Sequence, residues 1–71
     1  AVVVANLTAE TIIDLAALLQ KSVSAGGYLI LSGILKPKSV EVLRRFSPYP
    51  FMLARQTTHK EWVTLLLKRK G

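Results

Sequence analysis

Two places in this chain set small polar groups where a hydrophobic run ends. Asn6 follows Val2-Val3-Val4-Ala5, and Ser32-Gly33 follows Tyr28-Leu29-Ile30-Leu31. Ligands of open α/β sheets bind at the carboxyl ends of the strands, so both places are candidate site positions. An amide such as that of Asn6 offers a carbonyl acceptor and an N–H donor to a bound group. The plainer alternative makes Asn6 a cap or turn former in a strand-to-helix loop, and Ser32-Gly33 a strand end that needs small residues. Other chemistries are poorly supplied. There is no Ser/His/Asp set, no pair of carboxylates and no metal-ligand spacing to support hydrolysis. The single histidine, His59, falls in a polar connection and reads as a solvated turn residue.

Composition narrows the classes further. Seventy-one residues make at most one small domain, near the lower limit for a core without staples. With no cysteine, disulfides and thiolate metal sites are excluded, and a reducing, cytoplasmic setting is expected. One His and four acids leave little for an all-protein metal cage, so no metal is expected. The 51% hydrophobic content suits a globular core. No apolar run approaches the roughly 18 to 20 residues that span a bilayer, so no membrane partner is expected. The net charge of +6 favours acidic partners, but the basic residues are scattered and only Lys68-Arg69-Lys70 forms a run. That run reads as a solvated tail.

The elements that would position Asn6 and Ser32-Gly33 follow from pattern. Val2 to Ala5 is continuously apolar and β-branched, which predicts a strand covered on both faces. Thr8 is placed to cap a helix, with Glu10 in its first turn where a negative charge suits the dipole. Ile12, Leu15, Ala16, Leu19 and Val23 then mark one face of a helix ending near Ser22. Ala25-Gly26-Gly27 breaks it. Tyr28 to Ser32 predicts a second strand, apolar on both faces and ended by Gly33. Pro37 suits the first turn of a second helix, whose apolar stripe would be Val40, Leu43 and Phe46. Pro48 and Pro50 stop it. Phe51 to Thr57 and the strongly apolar Trp62 to Leu67, linked through Thr58-His59-Lys60, predict an antiparallel hairpin, with Trp62 packing in the core or against the hairpin.

The fold class is therefore α/β, in the order β-α-β-α-β-β. The first two strands, separated by a helix, should be parallel. The last strand is more apolar than the third and should lie inside, giving the spatial order first, second, fourth, third, with only the last strand antiparallel. Val2 to Ala5 then falls at the other edge, without the charge, proline or bulge that usually blunts an edge. Such an edge predicts self-association. It also reads as a strand missing its neighbour, so the expectation is that residues 1–71 are the C-terminal part of a larger doubly wound sheet.

This order, with an antiparallel last strand inserted beside the second, resembles the second half of the Rossmann-like methyltransferases that use S-adenosylmethionine. Three stretches, VVVANLTAE, AGGYLILSGIL and EWVTLLLKR, are similar to the matching segments of the methyltransferases that modify protein eleven of the large ribosomal subunit. The likeness covers essentially the whole chain, with one departure at Ala25, where such enzymes commonly carry proline. The resemblance implies S-adenosylmethionine as cofactor, a large-subunit ribosomal protein as partner and substrate, and protein amino groups as acceptors. It places Asn6 beside the methyl donor and the incoming amine, as a catalytic and cofactor-binding residue, with Ser32 and Gly33 lining the substrate site. An amide carbonyl there can orient an amine for in-line attack on a sulfonium methyl. That reaction needs positioning and an uncharged nitrogen more than acid–base machinery. The Gly-rich loop and ribose-binding acid of such enzymes have no counterpart in these residues; Gly26-Gly27 precedes a strand and does not open a helix. The 71 residues alone are thus expected to be inactive.

The competing class is a small basic α/β module that binds RNA or ribosome and does no chemistry. RNA-binding sheets usually expose aromatics on an open face, whereas Tyr28, Phe46, Tyr49, Phe51 and Trp62 are dispersed. A purely structural or interaction domain would have to cover its apolar first edge with a partner.

Overall fold

Residues 2–71 are described by a computed structural model. Four strands form one mixed sheet: β1 (Val2–Asn6), β2 (Tyr28–Leu35), β3 (Phe51–His59) and β4 (Trp62–Arg69). Their spatial order is β1-β2-β4-β3, with β1 parallel to β2 and β4 antiparallel to both of its neighbours. The order and the single antiparallel strand are those expected from the relative apolarity of the strands.

Helices α1 (Ala9–Asp14) and α2 (Ala16–Lys21) lie between β1 and β2, and a 3-10 turn (Lys36–Lys38) leads into α3 (Ser39–Phe46). The expected first helix is thus interrupted at Leu15, whose φ of −96° and ψ of 6° leave the helical range. Hydrogen bonds from Leu15 N to Thr11 O and from Leu19 N to Leu15 O still carry the chain through the break. Ile12, Ala16 and Val23 are buried as the periodicity requires, with Leu15 and Leu19 half-buried. Thr8 caps the helix: its backbone is extended and its Oγ1 accepts from Thr11 N at 3.3 Å. Thr8→Ala should therefore cost about 1 kcal/mol, read as a lower urea midpoint at unchanged slope.

The helices cover one face only. Leu29, Leu31 and Ile34 of β2 and Val63, Leu65 and Leu67 of β4 are buried, and with Ile12, Val42 and Phe46 from the helices they make the core. On the opposite face Val2 and Val4 are 60% and 63% exposed, and Tyr28, Ile30 and Leu66 are half-buried. The expectation that β1 and β2 are covered on both faces is therefore corrected. Continuous apolarity marks side chains suited to burial, but this chain brings helices to one face alone.

Three local expectations also change. In α3 the buried residues are Ser39, Val42 and Phe46, while Val40 is 60% exposed. Positions 39, 42 and 46 form the inward side of the helix, and Val42 and Phe46 join the core. Pairing of β3 continues to His59, opposite Trp62, and leaves a two-residue turn at Lys60-Glu61 with Lys60 at φ 56°. Trp62 is 46% exposed and lies outside the core. The two sheet edges differ. β3 carries an extra residue at Ala54 relative to β4, contains Arg55 and is followed by Lys60, features that discourage edge pairing. β1 has none of them.

Candidate functional site

The three residues singled out from sequence converge. Asn6 ends β1 and is the register partner of Ser32 on β2, the last parallel pair of the sheet. Beyond it the chain leaves the sheet at Leu7 and enters α1, while β2 continues to Leu35. Gly33 thus does not end the strand, as expected, but sits in a bulge within it. Leu31 faces Leu65 and Ile34 faces Val63, so Ser32 and Gly33 together oppose Thr64 alone. The extra residue bends the strand and re-aims what lies beside it.

Gly33 has φ 81°, a conformation that costs a side-chain-bearing residue free energy. Space is short as well. A Cβ at Gly33 would lie 2.8 Å from Asn6 Oδ1 and 3.2 Å from the Leu7 carbonyl oxygen. The bulge therefore lets the Asn6 carboxamide rest against β2 backbone while Asn6 itself stays exposed at the strand's carboxyl end. Gly26 provides a comparison, having φ 78° but nothing within 4 Å of an added Cβ. Gly33→Ala should cost about 1 to 3 kcal/mol and more than Gly26→Ala, since strain is common to both and crowding is not. Equal urea midpoints for the two variants would mean that Asn6 and Leu7 yield freely.

A pocket adjoins Gly33. Thr8, Ala9 and Glu10 at the start of α1 line it, with Gly33 and Leu35 of β2, Lys38 of the 3-10 turn and Trp62 of β4. Lys38 Nζ lies 3.9 Å from Glu10 Oε2 and 3.7 Å from Glu41 Oε1. Sequence reasoning missed Glu10, Leu35, Lys38 and Trp62 as pocket residues. Glu10 and Trp62 are 52 positions apart, and only the β2–β4 register, which sets Leu35 opposite Trp62, brings them to one place.

The basic residues do not gather into a single surface. Arg69 donates from Nη1 to the carbonyl oxygen and Oε1 of Gln20 at 2.8 and 3.0 Å, and its guanidinium stands 5.7 Å from the Phe51 ring. It therefore belongs to the tie between α2 and the sheet and not to a free tail. Arg45 lies over Tyr49 and donates to its hydroxyl, and Lys68 lies over Tyr28. Among the described residues, Tyr28 and Trp62 share the alternation of the uncovered face but stand at opposite ends of the β2–β4 ladder, whereas a stacking platform for bases would need aromatics side by side. His59 is exposed at the tip of β3, away from Asn6. No helix among the described residues is long and apolar enough to cross a membrane.

Comparison with known proteins bears on the family and the fold. The model of the family described as ribosomal protein L11 methyltransferase (PrmA) matches residues 1–70. The ribosomal protein L11 methyltransferase of Wolinella succinogenes is 40% identical over 67 residues, which are 94% of this chain and 24% of that protein. That of Geotalea daltonii is 43% identical over 65 residues, or 92% of this chain and 21% of that protein. The crystal structure of ribosomal protein L11 methylase from Lactobacillus delbrueckii subsp. bulgaricus superposes with a TM-score of 0.89 at 26% identity, covering 99% of this chain and 36% of that one. The chain spans about a quarter of the length of the curated relatives it matches. On the match of nearly its whole length, the chain belongs to the ribosomal protein L11 methyltransferase family.

Proposed function

We propose that residues 1–71 act as the C-terminal portion of a Rossmann-like catalytic domain that transfers methyl groups from S-adenosylmethionine to amino groups of ribosomal protein L11. The observation that carries this reading is the juxtaposition of Asn6 with Ser32 and Gly33 where β1 leaves the sheet. S-Adenosylmethionine, when bound, supplies an electrophilic methyl carbon on a sulfonium. The residues present fit the amine side of such a site: the missing Cβ of Gly33 leaves Asn6 Oδ1 room beside the bulge, and Asn6 is an exposed residue at the strand's carboxyl end. Asn6 Oδ1 accepts an N–H of the neutral acceptor amine and so directs the nitrogen lone pair toward the methyl carbon. With the methyl group passed to the nitrogen, the extra proton of the amine would leave for solvent, to which the Asn6 end of β1 is open. Ser32 and Gly33 line the approach. No acid or base of the chain is required, in keeping with a site that works by orientation.

The test is mass spectrometry of ribosomal protein L11 after incubation with S-adenosylmethionine and a protein containing this segment. Methyl gains on lysine side chains or the N-terminal amine are expected. Unmodified L11, together with tight binding of ribosomal RNA, would replace this reading with that of a basic RNA-binding module.

The isolated 71 residues should bind S-adenosylmethionine more weakly than micromolar. Asn6 and the Ser32-Gly33 bulge supply one or two hydrogen bonds, each worth about 1 kcal/mol net. Micromolar affinity requires about 8 kcal/mol. Saturable one-to-one binding at micromolar concentration in calorimetry would show a complete site in this chain. The uncovered β1 edge pairs with a second copy at high concentration, so the titration is performed on the monodisperse fraction.

A further inference from the structure

We propose that the end of the sheet opposite Asn6, at the amino ends of β1 and β2, is a docking surface for the phosphate backbone of RNA. The ten basic residues do not all share one surface, but six of them share this end. Lys21 closes α2, Arg44 and Arg45 stand in the last turn of α3, and Lys68, Arg69 and Lys70 end β4 or follow it. The fold ties these elements together. Arg69 pairs with Phe51 in the β3–β4 ladder, and its side chain donates to the carbonyl oxygen of Gln20, next to Lys21. Lys68 pairs with Tyr28, where β2 begins. Arg45 donates to the hydroxyl of Tyr49, two residues before Phe51.

Charge is sorted along the sheet. Glu10 at the start of α1, Glu41 in the first turn of α3 and Glu61 in the β3–β4 turn stand at the other end, and Asp14 closes α1. Lys36, Lys38, Arg55 and Lys60 balance these four acids, so the net charge of +6 is carried by the six residues at the amino end. Among the described residues the ion pairs are those of Lys38 with Glu10 and Glu41, and neither involves any of the six. An uncompensated cluster of this kind attracts a polyanion across about 8 Å at physiological salt.

The cations are also held in place. The backbone N–H of Arg69 donates to the Gly27 carbonyl at 2.9 Å, that of Lys70 to the Pro50 carbonyl at 2.9 Å, and that of Gly26 to the Arg69 carbonyl at 3.0 Å. Arg45, Lys68 and Arg69 each stand 5.7 Å from a ring centroid, of Tyr49, Tyr28 and Phe51 respectively. A guanidinium resting on a ring keeps its forked N–H edge for phosphate oxygens, and a cation fixed beforehand loses less freedom on binding. Each ring already has a cation over it, so the surface meets phosphates and does not stack bases. Such contacts position without reading sequence. The choice of RNA among polyanions rests on the methyltransferase reading, whose acceptor is a protein of the ribosome.

The experiment is fluorescence anisotropy of a labelled oligouridine titrated with the monodisperse 71-residue chain at several salt concentrations. Saturable binding is expected, with log affinity falling by about 3 to 4 per tenfold rise in salt, the slope for roughly five phosphates of a single strand. Lys21→Gln, Lys68→Gln and Lys70→Gln combined should weaken binding at least about tenfold at low salt and flatten the slope by about 2. Arg44→Gln with Arg45→Gln, at the same end, should act in the same direction. The control removes equal charge elsewhere: Lys36→Gln, Arg55→Gln and Lys60→Gln combined should change affinity less than about threefold. All these variants leave the buried core intact, which circular dichroism verifies. Equal weakening by the two triple variants would mean that net charge alone decides, and would overturn the proposal. So would binding that is unsaturable or insensitive to salt. Displacement of the RNA by polyglutamate at equal charge concentration would assign the surface to an acidic protein instead. The titration needs neither S-adenosylmethionine nor L11. Failure here with L11 methylated removes the RNA surface alone; success here with L11 unmodified removes the methyltransferase reading and leaves the surface standing.

Discussion

Asn6→Ala, in a methylation-competent protein containing this segment, should lower kcat about ten- to a hundredfold while leaving stability within about 0.5 kcal/mol of the parent. The size follows from the proposed role: one positioning hydrogen bond, realised when the amine is aligned, is worth about 1 to 3 kcal/mol when its partner is left unpaired. The small stability effect follows from the exposure of Asn6 at the end of β1, where its side chain contributes little packing. Asn6→Asp makes a sharper comparison. It keeps an acceptor oxygen at the same place but adds a negative charge, which holds the acceptor amine in its protonated form. An ammonium has no lone pair to attack with, so Asn6→Asp should also be slow at neutral pH and recover as pH rises. Wild-type turnover in Asn6→Ala would reduce Asn6 to a turn residue.

Leu31→Ala should be among the most destabilising single changes in the sheet, costing about 2 to 5 kcal/mol. Leu31 is fully buried and stands between Ala5 of β1 and Leu65 of β4, under the helix layer. A two-layer domain of this size has few ways to close the resulting cavity. At about 0.05 to 0.15 kcal/mol per residue, a chain this short commands only about 4 to 11 kcal/mol in total. Substantial unfolding at room temperature is therefore expected, measured by circular dichroism and the urea midpoint. Val4→Ala is the control: the same sheet, but on the uncovered face and 63% exposed, so its cost should stay within about 0.5 kcal/mol. Equal losses from the two variants would contradict a core confined to the helix side.

The contrast between Leu31 and Val4 also marks where sequence and tertiary structure part. Strand existence, the order β1-β2-β4-β3, the Thr8 cap and the placement of Asn6 at the carboxyl end of β1 were all legible from residues alone. Each rests on a short-range signal: β-branched runs, a hydroxyl before a helical period, a glycine pair, and the relative apolarity of the hairpin strands. Which face of the sheet the helices cover was not legible, because an unbroken apolar run such as Val2 to Ala5 has no polar side to declare. The orientation of α3, which buries Ser39 and Val42 and exposes Val40, was not legible either, because Val40 and Val42 are equally apolar and the stripe alone does not say which turns inward. The Gly33 bulge required the β2–β4 register, since a glycine at a strand end and a glycine within a bulged strand look alike in sequence. The pocket of Glu10, Lys38 and Trp62 depended on tertiary structure throughout. Its walls come from three separated elements, and no local pattern reports what lies across a sheet.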